Sequence, residues 1–116
     1  FSKMPIKEKD KRQYPRIAMR LPLTYRVRGK PISESTISTD ISSGGLSFVT
    51  DKFFPVQTML NLEFNLLSRF ISLGGQVRWI SPMPHSDKNK IGIQFTEIAD
   101  TQKDYLSDYI NIKKRI

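Results

Sequence analysis

The segment Lys11-Arg12-Gln13-Tyr14-Pro15-Arg16 sets two arginines four positions apart, and Asp40-Ile41-Ser42-Ser43-Gly44-Gly45 gathers a carboxylate, hydroxyls and adjacent glycines. Arginine presents planar, paired N–H donors that match phosphate oxygens and equally match the O6/N7 edge of guanine; lysine fits either less well. Arg12 and Arg16 are therefore candidates to bridge phosphate and base. A carboxylate accepts from the N1–H and amino group of guanine, a pattern adenine cannot offer, so Asp40 is the candidate for base specificity. Ser42 supplies a hydroxyl that donates or accepts, and Gly45, helped by Gly44, removes the Cβ where the chain turns and a ligand approaches. Lys11, Ser43 and Gly44 are additional candidates for contact. Each residue also has a plainer reading: solvated cations for the arginines, an Asx-type turn for Asp40 with Ser42 as its partner, and a hairpin turn for the glycines.

Other chemistry is missing. With no cysteine there is no disulfide framework, thiolate zinc site or cysteine nucleophile. The phosphate loop G-x-x-x-x-G-K-[ST], the dinucleotide fingerprint G-x-G-x-x-G and the zinc motif H-E-x-x-H do not occur. His85, the one histidine, sits in a Pro/Ser/Asp loop with no second imidazole to share a metal. Ser42 is not centred in G-x-S-x-G, and only His85 is available as its base. These absences point to a binding protein that is not an enzyme and carries no metal or cofactor.

The elements that must position both segments read as strands. From Arg20 to Arg28, Leu21, Leu23, Tyr25 and Val27 alternate with Thr24, Arg26 and Arg28, and Gly29-Lys30-Pro31 turns the chain. Ser33 to Thr39 reads as a polar, partly edge-like strand leading into a loop over Asp40 to Gly45, followed by a strand from Leu46 to Thr50. Thr58 to Leu66 is the clearest strand, with Leu60, Leu62, Phe64 and Leu66 on one face. Phe70 to Ile80 repeats the alternation through Ile71, Leu73, Val77 and Trp79, with a bulge expected at Gly74-Gly75. After a polar loop from Ser81 to Asn89 comes a last strand, Ile91 to Phe95. Asp100-Thr101 opens an amphipathic helix through Tyr105, Leu106, Tyr109 and Ile110. Phe64, Trp79 and Phe95 are assigned to the core. The pattern predicts an all-β fold, a small six-stranded antiparallel β-barrel with a C-terminal α-helix.

A chain of 116 residues, 38% of them hydrophobic, fills one core. Residues 1–11 are polar and aperiodic and are expected to form a flexible basic arm, with the barrel domain over 12–116. The net charge of +8 is concentrated: residues 1–30 hold ten cations against Glu8 and Asp10, while the other 86 residues hold nine of each sign. This is the pattern of a short segment that meets an anion, and equally of a basic, disordered arm that aids solubility; composition does not separate the two. No apolar run is long enough to cross a bilayer and no secretory h-region opens the chain, so the expected location is the cytoplasm. The chain opens at Phe1, not at a methionine, and an upstream domain is expected.

The two segments resemble the paired signature of the PilZ domain family, R-x-x-x-R followed by [DN]-x-S-x-x-G. Arg12 and Arg16 match the first motif, and Asp40, Ser42 and Gly45 the second, with residues 17–39 between them. With eight arginines, chance alone gives roughly 0.5 R-x-x-x-R pairs, and Arg16 with Arg20 is indeed another. The second motif is expected only about 0.06 times, so the pairing in order carries the resemblance. Gly92-Ile93-Gln94-Phe95 also resembles the closing G-x-x-F strand of the family. The resemblance implies a receptor for cyclic di-GMP in which these five residues contact the ligand, Lys11 stands where many members have another arginine, and Tyr14 and Pro15 stiffen the arm. On that reading the arm is expected to close over the ligand and act on a partner protein or an upstream domain. Two alternatives remain: a PilZ-fold interaction module without ligand, and a basic barrel binding single-stranded nucleic acid. The latter needs stacking aromatics on its basic face, where Tyr14 is the only aromatic in residues 2–20, so polymeric nucleic acid is not the expected partner.

Overall fold

The computed structural model describes residues 16–115. The elements in chain order are β1 (Ile17–Ala18), β2 (Pro22–Val27), β3 (Ser33–Ile41), β4 (Gly45–Thr50), β5 (Met59–Leu66), β6 (Arg69–Pro82), β7 (Asn89–Glu97) and α1 (Asp100–Arg115). All pairings are antiparallel and run β1-β3-β2-β5-β6-β7-β4, with β3–β4 closing the ring. The fold is therefore the expected closed six-stranded barrel, β2 to β7, with β1 added outside the ring and the C-terminal helix in place. Closure removes the long open edges that an all-β protein must otherwise protect.

Alternation drives the packing. On β5, Leu60, Leu62, Phe64 and Leu66 are buried while Glu63 and Asn65 face solvent. Phe48 stacks on Tyr25 with ring centroids 4.9 Å apart, and Phe54 meets the Tyr25 edge at 5.8 Å. Burial raises the Tyr25 phenol above its ordinary pKa, and its hydroxyl contacts Thr50 Oγ1 at 3.4 Å. Leu106 of α1 joins this core, and Tyr105 donates its hydroxyl to the Leu66 carbonyl at 2.9 Å, so the helix covers the end of the barrel where β5 turns into β6.

Two sequence expectations change. Ser33–Ile41 is partly edge-like, as its composition suggests: residues 33–37 pair with β2 alone, β4 pairs only with Ser38, Asp40 and Ile41, and hydroxyls tie the strand to β4, Thr36 Oγ1 to the Val49 carbonyl at 3.1 Å and Thr39 Oγ1 with Ser47 Oγ at 2.6 Å. The loop expected from Asp40 to Gly45 shrinks to residues 42–44, since Asp40 and Ile41 continue β3 and Gly45 already belongs to β4. Trp79 is not core: it is 41% exposed, because a register shift between Val77 and Trp79 turns it outward. Phe64 and Phe95 are buried as expected, and the Gly74/Gly75 irregularity is present.

One edge of β3 is shared between β2, which pairs with residues 33–37, and β1, which pairs with residues 40 and 41. Ser38 splices the junction: its fully buried hydroxyl accepts from Leu21 N at 3.0 Å and donates to the Met19 carbonyl at 2.6 Å. Ser38→Ala leaves both backbone groups unpartnered and is expected to lower unfolding stability by about 1–3 kcal/mol, read as a reduced urea midpoint with unchanged slope.

Candidate functional site

β1 exists because the chain before β2 is stitched to the end of β3. Ile17 pairs with Ile41, Ala18 pairs with Asp40, and Met19 N donates to the Thr39 carbonyl at 3.2 Å. This register delivers Arg16 to Asp40: Nη1 donates to Oδ1 at 2.6 Å, with the side chains 26% and 25% exposed. The contact is single-pronged. Asp40 Oδ2 has no other partner among the described residues, and the rest of the guanidinium fork is likewise uncommitted. Among the described residues, one carboxylate oxygen and most of the guanidinium donors thus remain open at the outer wall of the barrel.

The next residues of the signature build the wall itself. Ser42 is buried; its hydroxyl accepts from Gly44 N and Gly45 N, each at 3.1 Å, while Ser42 N donates to the Gly45 carbonyl at 2.8 Å. One side chain therefore closes the turn from β3 to β4. The Gly44 carbonyl accepts from Phe95 N at 2.8 Å, tying that turn to β7. A Cβ on Gly45 would collide with the carbonyl oxygen of Ile93, so β4 and β7 reach their separation only with glycine there. Ser43 is buried and Gly44 half-buried beside them. The candidates Lys11 and Arg12, and the arm expected over residues 1–11, lie outside the described residues.

Sequence reasoning missed Trp79. Its indole lies over Gly92, where a Cβ would overlap the ring. Gly92 pairs with Ser47, Ser47 pairs with Asp40, and Asp40 pairs with Ala18, which places these positions in one row across β6, β7, β4, β3 and β1. The row runs from Trp79, whose ring covers Gly92, through the buried Ser47 to the Arg16–Asp40 pair. From β7 to β3 is two strand spacings, roughly 10 Å. The missing signal was the glycine: an outward tryptophan needs a neighbour without a side chain, and Gly92 is the residue paired with it.

A second ion pair holds the scaffold. Arg28 forks onto Glu97 at 2.8 and 3.0 Å and reaches Asn61 Oδ1 at 3.1 Å. The hydrogen bond from Arg28 holds the Glu97 carboxyl below its ordinary pKa, so this surface clamp is intact at neutral pH and releases as acid protonates Glu97.

Comparison with known proteins gives consistent findings. The family model described as PilZ domain matches residues 10–111. Among solved structures, the chain is similar to the inhibitor of motility MotI/DgrA of Bacillus subtilis, at 28% identity and a TM-score of 0.78, over 89% of this chain and 51% of that one. It thus spans about half the length of that protein. The PilZ domain of YcgR from Escherichia coli, solved with c-di-GMP, matches at 16% identity and a TM-score of 0.67, over 90% of this chain and 92% of that one. The PlzA protein of Borreliella burgdorferi, solved in complex with c-di-GMP, matches at 18% identity and a TM-score of 0.62, over 91% of this chain and 44% of that one. No curated protein sequence matches the chain.

Proposed function

Because this chain belongs to the PilZ domain family, we propose that it is a receptor for cyclic di-GMP that performs no catalysis. The observation that carries the reading is the Arg16–Asp40 pair, a half-committed guanidinium and a half-committed carboxylate brought together by the β1–β3 register on the barrel wall. Arg16 meets a phosphate or the Hoogsteen edge of a guanine, and Asp40 accepts from N1–H and the amino group. Ser42, Ser43, Gly44 and Gly45 hold the turn against which the ligand rests, through the backbone they shape. Arg12 and Lys11 supply further cations from the arm, which closes over the bound ligand and repositions a partner protein or an upstream domain. The proposed setting is the cytoplasm; among the described residues, no helix is long and apolar enough to cross a membrane.

The test is calorimetric titration with cyclic di-GMP against cyclic di-AMP and a short single-stranded oligonucleotide. Micromolar or tighter binding confined to the guanine ligand supports the reading, and heat only from the oligonucleotide replaces it with the nucleic-acid alternative. Hydrogen exchange on the same samples should show residues 3–16 slowed by ligand; equal exchange with and without it removes arm closure from the account.

Trp79 completes the site as a stacking surface for a base. Base stacking on an aromatic ring is worth about 1–3 kcal/mol, so Trp79→Ala should weaken cyclic di-GMP by roughly tenfold or more. The same titration measures it, and an unchanged Kd returns Trp79 to a purely packing role over Gly92.

A further inference from the structure

We propose that the end of the barrel opposite α1 docks onto an anionic lipid surface. Three connections share that end: residues 28–32 between β2 and β3, 51–58 between β4 and β5, and 83–88 between β6 and β7. They display Ile32, 69% exposed, Phe53, 68% exposed, and Val56, 51% exposed. Large apolar side chains displayed in water at one end of a barrel mark an interaction surface or a liability. Here the display is built in. Phe54 is buried against Tyr25, which forces its neighbour Phe53 outward. The Lys52 carbonyl accepts from Asn89 Nδ2 at 3.1 Å, Lys52 Nζ pairs with Glu34 at 3.5 Å, and Gln57 N donates to the Val77 carbonyl at 2.7 Å. The loop is therefore pinned to β3, β7 and β6 while its apolar tips face solvent.

The charge around the tips selects the partner. Lys30 and Lys88 on these connections, and Lys90 just beyond, have no ion pair among the described residues. The anions on the same connections are Asp51 and Asp87 alone. Lysine stems lie along an apolar boundary while their ammonium groups reach anionic headgroups, and isolated apolar tips insert between lipids. A protein partner would need matching relief for three separate protrusions, whereas a bilayer interface deforms around them. Asp40, one residue from the α1 end of β3, and Arg16 paired with it lie away from the docking end, so lipid docking leaves that pair accessible, and the proposal does not rest on the ligand assigned above.

The chain has no cysteine, so Phe53→Cys gives a unique position for an environment-sensitive fluorophore, with Asp104→Cys on the exposed side of α1 as the control. With phosphatidylglycerol vesicles the label at 53 should shift to the blue and brighten, while the label at 104 stays unchanged and pure phosphatidylcholine moves neither. In co-sedimentation, Ile32→Ser with Phe53→Ser should weaken vesicle binding at least tenfold without altering the melting temperature. Vesicle binding with an unresponsive label at 53 overturns the proposal, because the basic segment before β1 then makes the contact. A response to protein concentration without lipid overturns it in favour of a second copy of the chain.

Discussion

Arg16→Ala abolishes measurable heat on titration with cyclic di-GMP while shifting the thermal midpoint by no more than about 5 °C. The two halves of this expected result come from different environments of one side chain. In the free protein, Arg16 makes one ion pair with Asp40, and about a quarter of each side chain remains exposed. Pairs of that kind contribute about 0–1 kcal/mol to folding. In the complex, the open side of the guanidinium meets a phosphate or a guanine edge in charge-assisted bonds worth about 1.5–3 kcal/mol each. Loss of two such bonds weakens binding on the order of a hundredfold or more. Arg16→Lys keeps the charge and loses the fork, and should fall between parent and alanine variant. Calorimetry beside differential scanning fluorimetry reads both halves; a Kd unchanged by Arg16→Ala would place the ligand away from the Arg16–Asp40 pair.

Gly45→Ala is the counterpart: a change in the same signature that acts first on folding. Its new Cβ meets the Ile93 carbonyl, so β4 and β7 must move apart along the register that runs from Gly45–Gln94 to Thr50–Asn89. The bond from Phe95 N to the Gly44 carbonyl lies beside that collision. Overpacking against backbone, which cannot rotate away, is expected to cost about 3 kcal/mol, a fall of roughly 10–20 °C in Tm. Thermal and urea unfolding measure it. A variant as stable as the parent but unable to bind would assign Gly45 to ligand approach, and a destabilised variant that binds when held folded in the cold assigns it to the scaffold.

The sequence made the barrel legible wherever inside and outside alternate without interruption. Leu60, Leu62, Phe64 and Leu66 needed no partner to be recognised as one face, and the helix announced itself through Asp100 and the spacing of Leu106 and Ile110. Alternation failed where register slips. Between Val77 and Trp79 one extra residue reverses the facing, and nothing in Val77-Arg78-Trp79-Ile80, which keeps the alternation, marks the slip. The candidate site was legible as residue types in order, but not as roles. Ser42 is a hydroxyl in a glycine-rich segment on paper; in the fold it is buried and spends its bonds on the turn. Asp40 looked like a loop residue because polar neighbours hide a strand whose hydroxyls bond inside the sheet.

The shared edge of β3 divides the molecule into two cooperative units of unequal cost. Ring closure runs through β2 to β7 and does not involve β1, so the Ile17–Ala18 strand can peel from Ile41 and Asp40 while every pairing of the ring survives. Opening that strand sacrifices a two-residue ladder and the packing of the partly buried Ile17, whereas opening any ring strand exposes the core itself. The position of Arg16 is accordingly set by a local equilibrium separate from global unfolding, and its readiness can be tuned through contacts of β1 without trading away the stability of the barrel.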